Sequence, residues 1–262
     1  MTPISFCCVT YNSERTLDAT LSSLSGVADE IIVVDSFSTD KTLEIARRYT
    51  DKVVQEPYFY HGIQMNKATA LASHRWVFCI DSDESLDAEL IATLLDWKTR
   101  DPEPYDSFRV HREWLFLGRS LHAFYPVSSP DRIVRLFNRE KVRFNDRPVD
   151  DKPMGQRKCN VVPLAGRLKH DTTGSIHDLF AKCNHYTSRV AKGANATAVE
   201  STSLSKVILR PWGSGLKWYF LKKGYKDGFP GVLLGVYAFL YTFLKYAKLY
   251  DRKRNDQSPS TN

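Results

Sequence analysis

Three carboxylates crowd four positions in Val77-Phe78-Cys79-Ile80-Asp81-Ser82-Asp83-Glu84-Ser85, immediately after a run of apolar residues. Such a cluster repels itself unless a cation sits within it. Mg2+ takes one or two carboxylates completed by substrate phosphate oxygens more readily than an all-protein cage. Alternate residues of an extended segment point to one side, so Asp-x-Asp suits that task. Asp81 and Asp83 therefore read as a divalent-cation pair serving a phosphate-bearing ligand. Glu84 reads as the start of the next helix, where a carboxylate gains about 0.3–1 kcal/mol from the dipole. A solvated turn capped by Ser82 or Ser85 is the structural alternative. A phosphohydrolase pair, nucleophile and acid/base, is the chemical one, although such pairs usually follow the first strand rather than the fourth.

Two more polar clusters end apolar runs upstream. Thr10-Tyr11-Asn12 follows Ile4–Val9, and Asp35 follows Glu30–Val34. An acidic residue closing the second strand of a nucleotide-binding half accepts hydrogen bonds from a ribose or base. No G-x-G-x-x-G and no G-x-x-x-x-G-K-[ST] is present, which argues against dinucleotide and P-loop chemistry.

The elements that must carry these clusters alternate in period over the first hundred residues. Strands are expected at Ile4–Val9, Glu30–Val34, Val53–Val54 and Trp76–Ile80. Helices are expected from Asn12 or Ser13 to about Leu24, from Ser38 or Thr39 to Tyr49, over Gly62–Ser73, and over Asp87–Trp97. Continuous apolar strands separated by helices indicate a parallel sheet covered on both faces, with ligands beyond the carboxyl ends of the strands. All three polar clusters fall at such exits. From Pro102 to His170 shorter strands follow (Phe108–His111, Ile133–Phe137, Val142–Phe144, Val161–Val162), as expected of an irregular, partly antiparallel half. Beyond Ser175 the chain reads as helical, and Asn255–Asn262 as disordered.

Composition narrows the class. The chain has 262 residues, 42% hydrophobic and 26% charged, enough for one large α/β domain with an appendage. A formal charge of +7 suits a phosphorylated substrate, an anionic membrane surface or nucleic acid. No nucleic-acid-binding motif is present, so nucleic acid is not an expected partner. The five cysteines show no zinc spacing and read as buried hydrophobes of a reduced, cytoplasmic protein. The start, MTPISFCCVTYN, does not read as a signal peptide.

The segments VTYNSERTLDATLSSL, DEIIVVDSFSTDKTLEIARRY and WVFCIDSDESL resemble the nucleotide-sugar half of family 2 glycosyltransferases of the GT-A fold. FLGRSL, DRIVRLFNREKVRFNDRPVDD, LKHD and GVLLGVYAFLYTFLKYAKLY extend the likeness to the bacterial glucosyltransferases of the lipopolysaccharide inner core. The resemblance implies a GT-A α/β domain with a mostly parallel central sheet over residues 1–174: a nucleotide-sugar half, 1–100, and an acceptor half, 101–174. A helical region expected to associate with a membrane, 175–254, and a tail, 255–262, follow. It implies an inverting transfer, with glucose from UDP-glucose as the expected donor sugar and a lipopolysaccharide core heptose as the expected acceptor. Thr10, Tyr11, Asn12, Glu14, Asp35, Asp40, Gln64, Asn66, Lys67 and Ser82 would then meet the nucleotide-sugar. Met65 departs from the family's Gln-basic-Asn signature, and Lys67 stands in. Asp81, Asp83 and His170 would hold Mg2+ or Mn2+. Inverting transfer needs a base for the acceptor hydroxyl. Val149-Asp150-Asp151 stands where the family has Val-His-Glu, which makes Asp151 the first candidate and Asp131 the second. Arg132 and Arg135 would face acceptor or phosphate. A non-catalytic nucleotide- or lipid-binding protein is the reading if that base is lost.

The tail carries its own signal. Val232–Leu244 is uncharged but shorter than the roughly twenty residues a membrane span needs. Phe239, Phe243, Tyr246 and Tyr250 share one helical face, and Tyr241, Lys245, Lys248 and Arg252 another. Upstream, Trp212, Trp218, Tyr219 and Phe220 interleave with lysines and arginines. Aromatics among cations suit contact with an anionic membrane surface at the cytoplasmic face, where a glycolipid acceptor would lie.

Overall fold

The computed structural model describes residues 1–100, 102, 105–122, 124–125, 131–147, 151–155, 161–171 and 173–257. Val149, Asp150 and Cys159 lie outside the described residues, as does the Pro126–Pro130 stretch. Two compact units are present: Met1–Glu113 with Pro130–Asp171, and Trp114–Ser129 with Thr172–Asn262.

The first unit opens with β1 (Ile4–Thr10), α1 (Leu17–Ser22), β2 (Glu30–Asp35), α2 (Thr42–Arg47), β3 (Val53–Gln55), α3 (His61–Ala70) and β4 (Trp76–Asp81). β1 pairs in parallel with β2 and β4, and β2 with β3. Side chains alternate across this sheet and both faces are covered. Phe6 and Cys8 join Leu17, Leu21, Leu90 and Leu94 on one side, while Cys7 joins Met65, Ala68, Val77 and Cys79 on the other. The adjacent thiols Cys7 and Cys8 thus serve opposite layers, and burial raises both their pKa values. All four cysteines in the described residues are buried and free.

β5 (Glu84–Leu86), α4 (Ala88–Trp97), β6 (Ser107–Phe116), β7 (Arg119–Ser120), β8 (Asp131–Asn138), β9 (Val142–Phe144), β10 (Pro153–Gly155) and β11 (Val161–His170) follow. The sheet order is β3-β2-β1-β4-β8-β6-β11-β5, with β7 paired to β6. The β4–β8, β8–β6, β6–β7 and β11–β5 pairings are antiparallel, as the change of texture after Pro102 indicates.

Several boundaries depart from expectation for identifiable reasons. α1 starts at Leu17 rather than at Asn12 or Ser13: Asn12 has φ +46, and the amides of Asn12 and Ser13 are spent on Ser38 and Thr42 side chains. β11 runs ten residues instead of two. Its polar alternation hides it, and Gly166 (φ +88) breaks its pattern where a Cβ would stand 2.2 Å from Leu90 N. Glu84 is not a helix start. It begins β5 and is wholly buried, while Asp87 caps α4 by accepting from Leu90 N.

The second unit contains α5 (Ile176–Gly193), α6 (Ala196–Glu200), α7 (Leu204–Leu216), a π-helical turn (Lys217–Leu221), a 3-10 turn (Gly224–Asp227) and α8 (Phe229–Gln257). Ser175, Asn195 and Ser203 cap the first three helices. Its core joins Trp114, Phe116 and Phe124 to Leu179, Cys183, Trp218, Leu234, Tyr237 and Ala238. α8 is helical through Gln257, so residues 255–257 are ordered into it, and 258–262 lie outside the described residues. By length and composition α8 could cross a membrane, with a mean hydropathy of 1.3 over its apolar window.

Candidate active site

The exits of β1, β2 and β4 are laced together by short polar bonds. Asp35 is fully buried and accepts from Thr10 Oγ1 at 2.9 Å, Ser38 N at 2.8 Å and Gln55 Nε2 at 3.2 Å. Asn12 N donates to Ser38 Oγ at 2.8 Å, and Asn12 Oδ1 accepts from Thr39 N at 2.9 Å. Glu14 N donates to Asp40 at 3.1 Å, and Lys41 N returns a bond to the Glu14 carboxylate at 3.1 Å. Asp40 also accepts from Thr42 N. Although burial acts to raise its pKa, these donors bring it below the ordinary value. Ser82 joins the same rim, with its hydroxyl 2.8 Å from Ser13 Oγ and its carbonyl accepting from Thr20 Oγ1 at 2.9 Å. Tyr11 is 62% exposed, and Asn12 and Glu14 beside it are exposed as well.

A second network surrounds the β4 exit. Leu136 of β8 lies opposite Phe78 of β4, which sets Arg135 one residue further toward Asp81. One Arg135 nitrogen, Nη2, donates at 2.6 Å both to Asp81 Oδ2 and to Glu84 Oε1. Glu84 also accepts from Asp81 N at 3.1 Å. Arg112 of β6 lies 3.6 Å from Glu84 and binds Asp131 at 2.7 Å. On the other side of Asp81, Oδ1 meets His61 Nε2 at 2.8 Å, and His61 Nδ1 meets Asp151 Oδ2 at 2.7 Å. Asp83 Oδ1 lies 3.1 Å from Nε2 of the buried His170, and Asp83 O accepts from Asp171 N at 2.9 Å.

The charges answer the repulsion expected from the triplet. Burial favours a neutral Asp81, yet Arg135 and then His61 hold it well below the usual carboxylate range. Burial lowers the His61 pKa, and Asp81 and Asp151 outweigh it to bring the value up to about 10. Glu84 is raised by burial despite its guanidinium neighbour. The first partners of these carboxylates are thus two protein cations.

A model of glycosyl transferase family 2 matches residues 5–151, more than half of the chain. The chain belongs to glycosyl transferase family 2. An uncharacterized glycosyltransferase of Rickettsia typhi is 26% identical over 258 residues, covering 95% of this chain and 87% of the relative. The lipopolysaccharide core biosynthesis glycosyltransferase LpsC of Rhizobium meliloti is 26% identical over 264 residues, covering 95% of this chain and 93% of LpsC. Among solved structures, S. aureus TarS residues 1–349 aligns with a TM-score of 0.46 at 16% identity, over 98% of this chain and 92% of that one. The protein is therefore a glycosyltransferase, and its mixed α/β sheet with a parallel first half is the GT-A architecture.

Within this glycosyltransferase the expected residues divide into groups. Thr10, Asn12, Glu14, Asp35, Asp40 and Ser82 lie in the interlocked rim. Gln64 is buried, donating to Ser36 Oγ at 3.1 Å and Glu56 O at 3.3 Å, and its Oε1 has no partner among the described residues. Asn66 clamps the Phe144 backbone with both ends of its amide, each at 2.9 Å. Lys67 pairs with Glu56 at 2.8 Å. Asp151 stands one imidazole away from Asp81, whereas Asp131 is tied to Arg112. Arg135 is buried in the carboxylate network and Arg132 is exposed. Sequence reasoning missed His61 and Arg112, lone residues outside any motif, and misplaced Glu84. The crowding of Asp81, Asp83 and Glu84 led to the expectation of a divalent cation; the cations observed are Arg135, on Asp81 and Glu84, and His61, on Asp81.

Proposed function

We propose that this glycosyltransferase moves glucose from UDP-glucose, with inversion, onto a heptose of the lipopolysaccharide core. The observation that carries the reading is the Asp81–Asp83 turn at the parallel-strand exit, with Asp151 joined to it through one side chain. The name of LpsC supports the acceptor class. The interlocked β1 and β2 exits form the nucleotide cradle, with exposed Tyr11 offering a stacking face and the loop around Asp35 and Asp40 shaping the base and ribose side. Gln64 and Lys67, on α3, border it.

Among the described residues no three His, Cys, Asp or Glu side chains converge as a metal cage. Both Asp81 oxygens meet Arg135 and His61, and one Asp83 oxygen meets His170, but each carboxylate oxygen keeps a second lone pair, so the pair would still accept a Mg2+ or Mn2+. Asp81 and Asp83 would hold it, with His170 beside Asp83, and it would supply charge neutralisation for the departing nucleoside diphosphate. The chain's own residues do the rest. Asp151 accepts the acceptor hydroxyl proton as that oxygen bonds to the anomeric carbon and the bond to the diphosphate breaks. Arg135 keeps Asp81 ionised.

A glycolipid acceptor requires a membrane-seeking surface, and α7 offers one. Leu204, Ile208, Trp212 and Leu216 fall on one helical face, and Phe220 and Leu221 continue it, each more than half exposed. No Asp or Glu occurs from Leu204 to Lys226, while Lys206, Arg210, Lys217, Lys222, Lys223 and Lys226 do. We assign contact with anionic lipid at the cytoplasmic face to this segment rather than to the cations of α8. Three of those are spent internally: Lys248 donates to Asn184 and Thr187, Arg252 to the carbonyls of Ala191 and Ala194, and Lys253 to that of Glu200.

The test is a panel of nucleotide-sugars with heptose-terminated lipopolysaccharide, read by mass. UDP-glucose with Mg2+ or Mn2+ should give a product one hexose heavier, and Asp83→Asn should abolish it. Transfer from another donor, or undiminished transfer by the variant, would refute the assignment.

A further inference from the structure

His61 belongs to none of the motifs that mark the site, yet it spans two of its carboxylates. The ring sits edge-on to Phe144, with centroids 6.1 Å apart. Backbone packing seats it. A Cβ on neighbouring Gly62 would stand 2.6 Å from Asn145 O and 3.1 Å from Asp151 Cβ, so the start of α3 lies directly against the segment that carries Asp151. One turn further on, Asn66 fixes the Phe144 backbone in both directions. The helix start, β9 and Asp151 are thus one packed assembly. Its only side-chain link to the donor-side carboxylate Asp81, among the described residues, is the imidazole, with 2.7 Å on one side and 2.8 Å on the other.

We infer that His61 is the positioning residue of the transfer, holding Asp151 Oδ2 through Nδ1 so that the other carboxylate oxygen is presented to the acceptor hydroxyl. The inference rests on the reading of Asp151 as the base. The proton passes from the acceptor hydroxyl to Asp151; His61 donates a hydrogen bond and exchanges no proton in the step. Fixing a carboxylate rotamer in this way removes an orientational search at the moment of reaction, and misplacement of that kind costs on the order of 100-fold.

Two substitutions separate the two arms of the imidazole. An Asn amide nitrogen reproduces the reach of Nδ1, and a Gln amide nitrogen that of Nε2. With UDP-glucose, Mg2+ and heptose-terminated lipopolysaccharide, His61→Ala should lower kcat about 10- to 100-fold with the donor KM little changed. His61→Asn should recover a substantial part of the loss and His61→Gln should not. In an Asp151→Asn background, His61→Ala should cost nothing further. A crystal structure of His61→Ala should show Asp151 displaced to another rotamer. Rescue by Gln instead of Asn, a loss expressed in donor KM, an additive effect with Asp151→Asn, or an unmoved Asp151 would overturn the inference. Full activity of Asp151→Asn alone would instead remove the base assignment on which it stands.

Discussion

Replacing Arg135 with Met tests the electrostatic account of the site most directly. Its guanidinium is buried, and one nitrogen stands 2.6 Å from Asp81 and from Glu84. Both carboxylate oxygens therefore lie within about 5 Å of each other, the range in which like charges disfavour joint ionisation. Methionine fills much of the volume and removes the charge. Leaving buried carboxylates without their partner costs about 3–5 kcal/mol. For a chain of this size that corresponds to a fall in Tm of roughly 10 °C. The pH dependence supplies the sharper test. Without Arg135, burial raises the carboxylate pKa above its unfolded value, so the variant is penalised at high pH and relieved once a proton is taken up. The gap from the parent protein should therefore narrow as pH falls from 8 to 5. Urea unfolding followed by circular dichroism, in EDTA so that no divalent cation replaces the guanidinium, measures both quantities. Glu84→Gln added to Arg135→Met should restore part of the loss. A gap below about 1 kcal/mol, or one that widens on acidification, would refute the account.

Glu30 accepts from Ser5, Lys52 and Ser73, and although burial opposes it these partners lower its pKa to about 2. Its stabilisation is present above the unfolded value near 4.5 and lost as pH falls toward 2, so Glu30→Gln should flatten the acid limb by up to about 3 kcal/mol in pH-dependent denaturation. Gly166→Ala places a Cβ against the Leu90 backbone at a positive φ, and should destabilise by at least about 2 kcal/mol in urea titration. Trp212→Ser with Leu216→Ser should reduce sedimentation with anionic phospholipid vesicles at least about tenfold while leaving Tm within a few degrees, because both side chains are exposed. Lys248→Met strips Asn184, Thr187 and Ser188 of a shared donor and should lower the Tm without changing vesicle binding.

The parallel strands were readable because burial on both faces leaves a continuous apolar run, as in Glu30–Asp35 and Trp76–Asp81. Their polar ends were readable for the same reason, since Thr10, Asp35, Asp81 and Asp83 interrupt those runs at one edge. What escaped depends on distant partners. Glu84 looks like a helix-start carboxylate until Arg135, fifty-one positions later, is placed beside it. β11 alternates apolar and charged residues around a bent glycine and resembles a loop. His61 has no spacing rule to announce it, because its two partners come from the end of β4 and from the segment that leads into β10. The cationic face of α8 was legible as charge, but its use on the flank and end of α5 and the end of α6 was not.

The antiparallel pairing of β5 with β11 also sets an order of events during synthesis. Leu86, Ser85 and Glu84 find Leu168, Lys169 and His170 as their partners, and Asp83 O receives the Asp171 amide. The turn that bears both aspartates therefore emerges from the ribosome more than eighty residues ahead of the strand that closes it. At ordinary elongation speeds that interval lasts roughly 4–17 s. During it β1 to β4 can already pair through local contacts, while the edge presented by β5 stays open. Nascent chains stopped before residue 171 should carry the proposed cradle without its lock, so on that reading the ability to engage a donor is acquired late, when the last strand slots between β6 and β5.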